Sequence, residues 1–286
     1  PRRLDQTRYT QPALFALEWS LSQLWRAHGV VPSAVLGHSV GEIAAACVAG
    51  VFSMEVGMRL VVERSRLMQA LPPRDGVMVA ARCGADAATE AIAALGLEAE
   101  AAVASVNGPQ SVVLAGSEPA VAAVLAELGT AGKRLTVSHA FHSPLMAPMA
   151  DEFRAVLASM AEETGAFGVA PQVPLASTVT GGVATAAELA DPEHWVRQVW
   201  SPVRYSDALE AALGLLEAPG EVEGEGEGGG AEGRDQCVVL EVGPNPVLSR
   251  MARPWVGSGR VASWCASLDR QVGLADVEAM ARAKEG

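Results

Sequence analysis

The chain has 286 residues, 50% of them hydrophobic and 19% charged, a globular composition with enough length for a large core or two lobes. Its formal net charge of −12 at pH 7 argues against a nucleic-acid partner, because phosphates require a basic face. The four cysteines lack the spacing of a disulfide framework or a zinc site, and no apolar run is long enough to span a bilayer. We therefore expect no metal and no membrane partner, and a reducing compartment: the cytoplasm or, in a eukaryote, an organelle.

The first third of the chain predicts three helices around one buried strand. Leucines recur at helical spacing in the first helix, and Gly50 gives the second a stop signal. The predicted elements are a helix at 11–28, a strand at 34–36, and helices at 40–49 and 54–69. The chain begins at Pro1 without an initiator Met, so we expect a domain of a longer polypeptide.

The middle of the chain has its own order of elements. The patterns predict strand, helix, strand, strand, helix and strand, the order of a ferredoxin-like sandwich, which can fold as a small lobe. These elements lie at 77–82, 85–95, 101–106, 111–115, 118–129 and 133–138, with a turn at 107–110 between the two central strands. We expect residues 73–142 to form this inserted subdomain.

The last part returns to helices, near 148–162 and 193–199, around a strand near 173–179. Residues 220–233 are almost entirely Glu and Gly, a composition that predicts a solvated, mobile loop. A further strand is expected at 237–242, so residues 1–72 and 143–286 together predict the large subdomain.

A Gly-x-Ser-x-Gly pentapeptide, Gly37 to Gly41, joins the predicted strand at 34–36 to the helix that follows. Such a turn presents the serine, here Ser39, at the carboxyl end of a sheet, and the glycines permit close packing. The helix that begins at Val40 directs a backbone N–H and a positive dipole end towards a developing oxyanion. This arrangement predicts a nucleophilic serine in acyl chemistry.

A serine hydroxyl needs a base within hydrogen-bond reach, and the chain has five histidines. His28 follows a helix and is interpreted as a solvated C-terminal cap. His38 precedes the nucleophile and is expected to support the turn, and His194 opens a helix and is expected at the surface. His139 and His142 remain, at the junction between the predicted lobes, so one of these two is the expected base.

Several longer motifs occur in a fixed order: GHSVGE at 37–42, RSRLM at 64–68, VASVNGPQSVVLAG at 103–116, HAFHSPLM at 139–146 and EVGPNPVL at 241–248. With these motifs the chain resembles the acyltransferase domains of modular polyketide synthases, which are related to malonyl-CoA:acyl-carrier-protein transacylases. The resemblance covers nearly the whole chain except the Glu/Gly segment. It implies an α/β fold with a hydrolase-like parallel-sheet core and an inserted ferredoxin-like subdomain.

The resemblance assigns roles to individual residues. His142 is implied as general base and acid for Ser39, oriented by main-chain carbonyls rather than by an acidic residue. Gln198 is implied to pass near that histidine and help orient it.

Arg64 matches the arginine that binds the free carboxylate of malonate, a role suited to a planar, permanently charged guanidinium. Gln11 matches a polar residue that lines the pocket, and Asn107 a polar residue of the small lobe, although Asn107 could instead serve its turn. His38 belongs to the same candidate substrate site.

Three sequence features follow the malonyl rather than the methylmalonyl pattern of the family. They are HAFH in place of YASH, Val40 in place of Gln after the nucleophile, and TQPALFALE at 10–18. Phe141, with His139 beside it, would fill the space next to the malonyl α-carbon, where a methyl branch would clash.

The implied function is transfer of a malonyl group from malonyl-CoA, through an ester on Ser39, to the phosphopantetheine thiol of an acyl carrier protein. No permanently bound cofactor is expected. The expected partners are the acyl carrier protein, a neighbouring ketosynthase and other synthase domains.

One departure from the family pattern concerns its N-terminal strand and Gly-Gln-Gly segment, which supply a second oxyanion donor and are missing before Pro1. Loss of one such donor costs on the order of 10²–10³ in rate, so we expect reduced activity of this chain alone. Two alternatives remain: a serine esterase or thioesterase of the α/β-hydrolase type, and a catalytically impaired module that docks a carrier protein.

Overall fold

The computed structural model describes residues 3–72, 76–164, 167–217, 237–257 and 259–269. The fold is mixed α/β. The helices are α1 (Thr7–Ala27), α2 (Val40–Val48), α3 (Met54–Ala70), α4 (Ala85–Ala94), α5 (Glu118–Glu127), α6 (Ala150–Thr164), α7 (Ala186–Ala190), α8 (Pro192–Arg197), α9 (Tyr205–Glu217) and α10 (Val247–Ala252). The strands are β1 (Val35–Leu36), β2 (Gly76–Ala81), β3 (Ala101–Gly108), β4 (Ser111–Ser117), β5 (Gly132–Arg134), β6 (Leu175–Ser177), β7 (Gly182–Val183), β8 (Cys237–Glu241) and β9 (Val261–Ala266).

Two short sheets contain the parallel pairings. In the first, of order β1-β6-β7, β1 runs parallel to β6 with Val35 opposite Leu175, and β7 closes the sheet in the antiparallel sense. In the second, β8 and β9 run parallel. The carboxyl ends of β1 and β6 therefore lie side by side, and the chain segments that follow them meet at one edge.

The third sheet is antiparallel and has the order β3-β4-β2-β5. Its strands alternate with α4 and α5 along the chain, in the order expected from the sequence. The two helices cover one face, where Leu114 and Val124 are fully buried in the same cluster. The opposite face packs against Ala140, which lies in the segment that carries His139 and His142.

The largest hydrophobic core lies among α1, α2, α3, α6 and α8. It is centred on fully buried side chains such as Phe15, Leu60, Leu157 and Trp195. Gly57 permits the close approach of α3, because a Cβ there would lie 2.3 Å from the sulfur of Cys47. This core fixes α2 and α3 relative to each other, and both helices carry residues of the candidate site.

The antiparallel sheet is joined to the rest of the fold through β3. The amide of Val106 donates to the carbonyl of Val203, and the amide of Val203 donates to the carbonyl of Ala104, each at 2.9 Å. The Ser206 hydroxyl also donates to the carbonyl of Val106 at 3.3 Å. Residues 203–206 are therefore an extension of this sheet as well as the start of α9.

Several sequence predictions need correction. The predicted strand at 133–138 is observed only as Gly132–Arg134, because after Leu135 the chain leaves the sheet and brings Ala140 against Gly76. Asn107 was placed in a turn but lies in β3, which continues to Gly108 before the two-residue turn. Helices α7, α9 and α10 and strands β7 and β9 were not predicted. The Glu/Gly segment at 220–233 lies outside the described residues.

Within the part of the chain that the structure describes, no helix is both long and apolar enough to cross a membrane.

Candidate active site

Ser39 lies at the sharp turn between β1 and α2, as the pentapeptide predicts. Its backbone has φ 53° and ψ −118°, a left-handed conformation that is unfavourable for a residue with a side chain. Gly37 is required by the closeness of the turn, since a Cβ there would lie 2.1 Å from the carbonyl oxygen of Gly41. The turn thus holds the serine hydroxyl at the amino end of α2, beside the amide of Val40.

His142 is the histidine that the structure brings to Ser39. Its Nε2 lies 2.7 Å from the serine Oγ, and its Nδ1 lies 3.0 Å from the carbonyl oxygen of Ser201. A carbonyl oxygen only accepts, so Nδ1 carries the proton and Nε2 is free to accept from the Ser39 hydroxyl. A backbone carbonyl therefore occupies the position that an acidic residue holds in a catalytic triad.

The surroundings of His142 favour the neutral ring. Burial, the nearby Arg64 charge and His38 lower the pKa of His142 from 6.5 to about 3, although the carbonyls of Ser201 and Gln198 act in the opposite direction. At neutral pH the ring is therefore unprotonated, the state that a general base requires.

Gln198 caps helix α8, and its side chain holds the nucleophile rather than the histidine. Its Nε2 donates to the main-chain carbonyl of Ser39 at 2.8 Å, while its Oε1 is buried and has no hydrogen-bond partner among the described residues. Its effect on His142 comes from the backbone carbonyl. The residue thus contacts both members of the pair.

Arg64, on α3, is 2% exposed and reaches the nucleophile. One guanidinium nitrogen donates to Gln11 Oε1 at 2.5 Å, and the other donates to Ser39 Oγ at 3.2 Å. Gln11 is in turn held by Thr7, to whose hydroxyl its Nε2 donates at 2.7 Å. The Nε of Arg64 is buried and has no hydrogen-bond partner in the part of the chain that the structure describes.

Burial lowers the pKa of Arg64 to about 10, and the negative charge of Glu42 opposes this shift. The guanidinium therefore stays charged near neutral pH. A charged, partly unpaired guanidinium beside a reactive hydroxyl is suited to bind an anionic group of an acyl substrate.

The His38 ring is held against the antiparallel sheet. Its Nε2 lies 3.2 Å from both Ser105 Oγ and Asn107 Oδ1. Burial lowers the pKa of His38, and the hydrogen bond with Asn107 opposes that effect. The carbonyl of Asn107 accepts from the indole of Trp255 at 3.0 Å. Asn107 thus lies in β3 rather than in a turn, and its side chain connects that strand to His38.

Phe141 and His139 lie on the segment that leads to His142, with their ring centroids 5.8 Å apart. His139 Nδ1 lies 2.9 Å from Ser138 Oγ, and its Nε2 lies 3.4 Å from the carbonyl oxygen of Leu71. Of the two histidines that the sequence left open as the base, His139 thus has other partners. A cavity of about 50 Å³ lies against His139 and is otherwise mainly apolar.

Two buried residues of the site were missed or misplaced by sequence reasoning. Glu42, in the first turn of α2, is fully buried, and it is the only charged residue in the helix sequence VGEIAAACV, which is the signal that could have identified it. His194 was expected at the surface, and this is wrong: it is 0% exposed, and its Nε2 lies 3.5 Å from Glu42 Oε1. Helix α8 packs against α6 and α7, and the side of it that carries His194 is turned inward towards Glu42.

Among the described residues, no three His, Cys, Asp or Glu side chains are grouped so that they could hold a metal ion. The groups next to Ser39 include the imidazole of His142, the guanidinium of Arg64 and the amide of Val40 at the start of α2.

Comparison with known proteins agrees with this chemistry. The family described as the acyl transferase domain matches residues 1–220. The chain belongs to this family. Polyketide synthase GfsA of Streptomyces halstedii is 41% identical to this acyl transferase domain over 268 residues, which cover 93% of the chain and 3% of the synthase. The resemblance predicted from the motifs is confirmed.

Solved structures show the same fold. The acyltransferase domain from the second module of the salinomycin polyketide synthase has a TM-score of 0.82 and 40% identity, covering 98% of this chain and 60% of that chain. An acyl carrier protein S-malonyltransferase from Vibrio cholerae has a TM-score of 0.76 and 29% identity, covering 97% of this chain and 82% of that chain. The acyl transferase domain is therefore related to both polyketide synthases and malonyltransferases.

Proposed function

We propose that this acyl transferase domain moves a malonyl group from malonyl-CoA, through an ester on Ser39, to the phosphopantetheine thiol of an acyl carrier protein. The observation that carries the proposal is the buried Arg64 guanidinium, 3.2 Å from the Ser39 hydroxyl. Ester or thioester hydrolysis alone needs no such cation. A dicarboxylic acyl group needs one, because its free carboxylate must be paired when it leaves water.

In the first half-reaction, His142 Nε2 accepts the Ser39 proton as Oγ attacks the thioester carbonyl. The tetrahedral oxyanion lies near the amide of Val40 at the positive end of α2. As the intermediate collapses, the carbon–sulfur bond breaks, and the protonated His142 returns its proton to the departing thiolate of CoA. A malonyl ester on Ser39 remains.

The second half-reaction reverses these roles. His142 takes the proton of the phosphopantetheine thiol, whose sulfur attacks the ester carbonyl, and then gives this proton to Ser39 Oγ as the ester bond breaks. Malonyl-CoA and the carrier-borne thiol are thus the only co-substrates. The neighbouring ketosynthase and other synthase domains are the proposed partners in the parent polypeptide.

The selection of malonyl over methylmalonyl is attributed to Phe141 and His139. Phe141 packs against the large core. His139 has hydrogen-bond partners in Ser138 and in the carbonyl of Leu71, so both rings are held in position by contacts. A methyl branch at the α-carbon would meet these rings.

The finer division of the fold is part of the same proposal. The strand order β3-β4-β2-β5, with two helices on one face, supports a ferredoxin-like subdomain over residues 73–142. The parallel pairings β1–β6 and β8–β9 support a hydrolase-like core built from residues 1–72 and 143–286.

The decisive experiment incubates the chain with malonyl-CoA and measures its intact mass. We expect a malonyl adduct that is lost in Ser39→Ala and discharged when a phosphopantetheinylated carrier protein is added. Rapid hydrolysis of p-nitrophenyl esters without any malonyl adduct would instead support an esterase, and binding of carrier protein without an adduct would support a docking module.

A further inference from the structure

The carboxylate of Glu42 is buried close to the turn that carries Ser39. Three residues after Ser39, it is 0% exposed and accepts hydrogen bonds from Ser177 Oγ at 2.5 Å, Thr178 Oγ1 at 2.5 Å and the Thr178 amide at 3.3 Å. Ser177 is the last residue of β6, the strand parallel to β1, and Thr178 follows it directly. The carboxylate therefore ties the first turns of α2 to the neighbouring strand.

Helix α8 contacts the same turn at two points. His194 approaches Glu42, with 3.5 Å between Nε2 and Oε1, and Gln198, four residues later, donates to the carbonyl of Ser39. Residues four apart lie on one face of a helix, so this face of α8 lies against Ser39 and Glu42. Among the described residues, neither ring nitrogen of His194 has a hydrogen-bond partner, and the Glu42 carboxylate lies 3.5 Å from Nε2.

The chain that leaves α8 holds the base. Three residues beyond Gln198, the carbonyl of Ser201 accepts from His142 Nδ1 at 3.0 Å, and Val203 is then bonded to β3. The orientation of the imidazole thus depends on where α8 ends. The position of the hydroxyl depends on where α2 begins, and the contact between Glu42 and His194 joins these two helices.

We infer that Glu42 and His194 are positioning residues, which align the Ser39 hydroxyl with His142 by fixing α8 against α2. The inference deepens the proposed function and rests on it for the identity of the substrate. Neither residue touches the reacting atoms. Their contribution is the geometry of proton transfer from Oγ to Nε2, where a displacement of about 1 Å can cost about 100-fold in rate.

The test measures the reactivity of Ser39 without the natural substrate, as the rate of labelling by a fluorophosphonate probe that reports an activated serine. The variants are Glu42→Gln and His194→Gln, with the exposed Glu90→Gln and His28→Gln as matched controls. We expect each buried variant to label at least about tenfold more slowly, and the double variant to lose less than the product of the two single losses. The control variants should label like the wild type.

Steady-state transfer from malonyl-CoA gives the second readout. Because Arg64 and its partner Gln11 are unaltered, we expect kcat to fall while KM changes by less than about threefold. Folding is checked by circular dichroism and the thermal midpoint. If Glu42→Gln does not fold, Thr178→Val removes one donor to the carboxylate and is measured in the same way.

A folded Glu42 or His194 variant that labels within about twofold of the wild type would overturn the inference, as would a wild-type chain that does not label at Ser39. A wild type that labels but forms no malonyl adduct would overturn the proposed function instead. The labelling rates of the variants would then still decide whether Glu42 and His194 position the pair.

Discussion

Ser39 and His142 meet at 2.7 Å, and both hold left-handed backbone conformations, with φ values of 53° and 54°. Among the described residues, they alone combine a side chain with positive φ. Such a conformation costs on the order of 1–3 kcal/mol for each residue, so the surrounding structure must impose it. The two strained residues are the ones whose side chains are in contact.

The Ser39–His142 pair should behave as one unit. Ser39→Ala removes the nucleophile, and His142→Ala removes the group that accepts its proton. We expect each variant to lower the rate of malonyl transfer by about 10³-fold or more. The double variant should transfer malonyl as fast as the slower of the two single variants. Steady-state transfer rates measure this, and losses that multiply in the double variant would contradict a shared step.

The low pKa of His142 predicts how activity depends on pH. Because the ring stays neutral down to about pH 3, acylation of Ser39 should not decline with a midpoint near 6.5. We expect the rate of labelling by a fluorophosphonate to be nearly constant from about pH 8 to about pH 5. A titration midpoint near 6.5 would show that the imidazole is solvated and unlike the buried ring described above.

The same shift has a consequence for stability. Below about pH 6.5 the unfolded chain binds a proton at His142 that the folded chain does not bind until about pH 3. The free energy of unfolding should therefore fall as the pH decreases through this interval, by a few kcal/mol at most from this group, since one pKa unit corresponds to about 1.4 kcal/mol. Urea unfolding of the wild type and His142→Gln measures it, and the variant should show the smaller decrease.

Arg64→Ala should lower activity with acyl groups that carry a free carboxylate more than activity with uncharged acyl groups. The variant loses the cation that pairs with a free carboxylate, so we expect kcat/KM for malonyl-CoA to fall by about 10- to 100-fold, while acetyl-CoA becomes the better acyl donor. Arg66→Ala is the matched control, since Arg66 lies on the same helix but is exposed and paired with Glu63 and Glu152. Equal losses for both acyl groups would argue against a carboxylate contact.

Phe141→Ser combined with His139→Tyr should raise acceptance of methylmalonyl-CoA. The smaller side chain at 141 opens the space beside the α-carbon, and discrimination by one methyl group corresponds to about 1–3 kcal/mol. Competition between the two CoA esters, followed by the mass of the acyl adduct, gives the selectivity directly. An unchanged ratio of malonyl to methylmalonyl adduct would rule out the steric account.

Local sequence signals were sufficient for the turn at Ser39 and for most elements. Gly37, Gly41 and Gly50 mark the boundaries of a short helix in the sequence itself, and α3 and α4 begin at the predicted residues and end within one residue of the predicted ends. The order of strands and helices between 76 and 134 was also visible from apolar patterning. These features depend on residues that are close in the sequence.

The misplaced residues depend on partners far away in the chain. His194 follows Pro192 and Glu193 in a short polar segment, and nothing nearby in the sequence shows that it will be buried beside Glu42. Asn107 precedes Gly108 and Pro109, a typical turn sequence, but pairing with β4 and the contact with Trp255 extend the strand through it. Hydrophobic periodicity along the sequence does not predict which distant parts of the chain will pack together.

The hydrogen bonds between β3 and Val203 bear on how this fold can be recombined. A graft that exchanges the antiparallel sheet alone would replace Ala104 and Val106 but keep residues 201–206, and these residues present the carbonyl that fixes His142. The boundary between the two parents would then lie between β3 and the segment whose Ser201 carbonyl orients His142. Exchanging residues 201–206 together with β3 takes both partners of these hydrogen bonds from one parent.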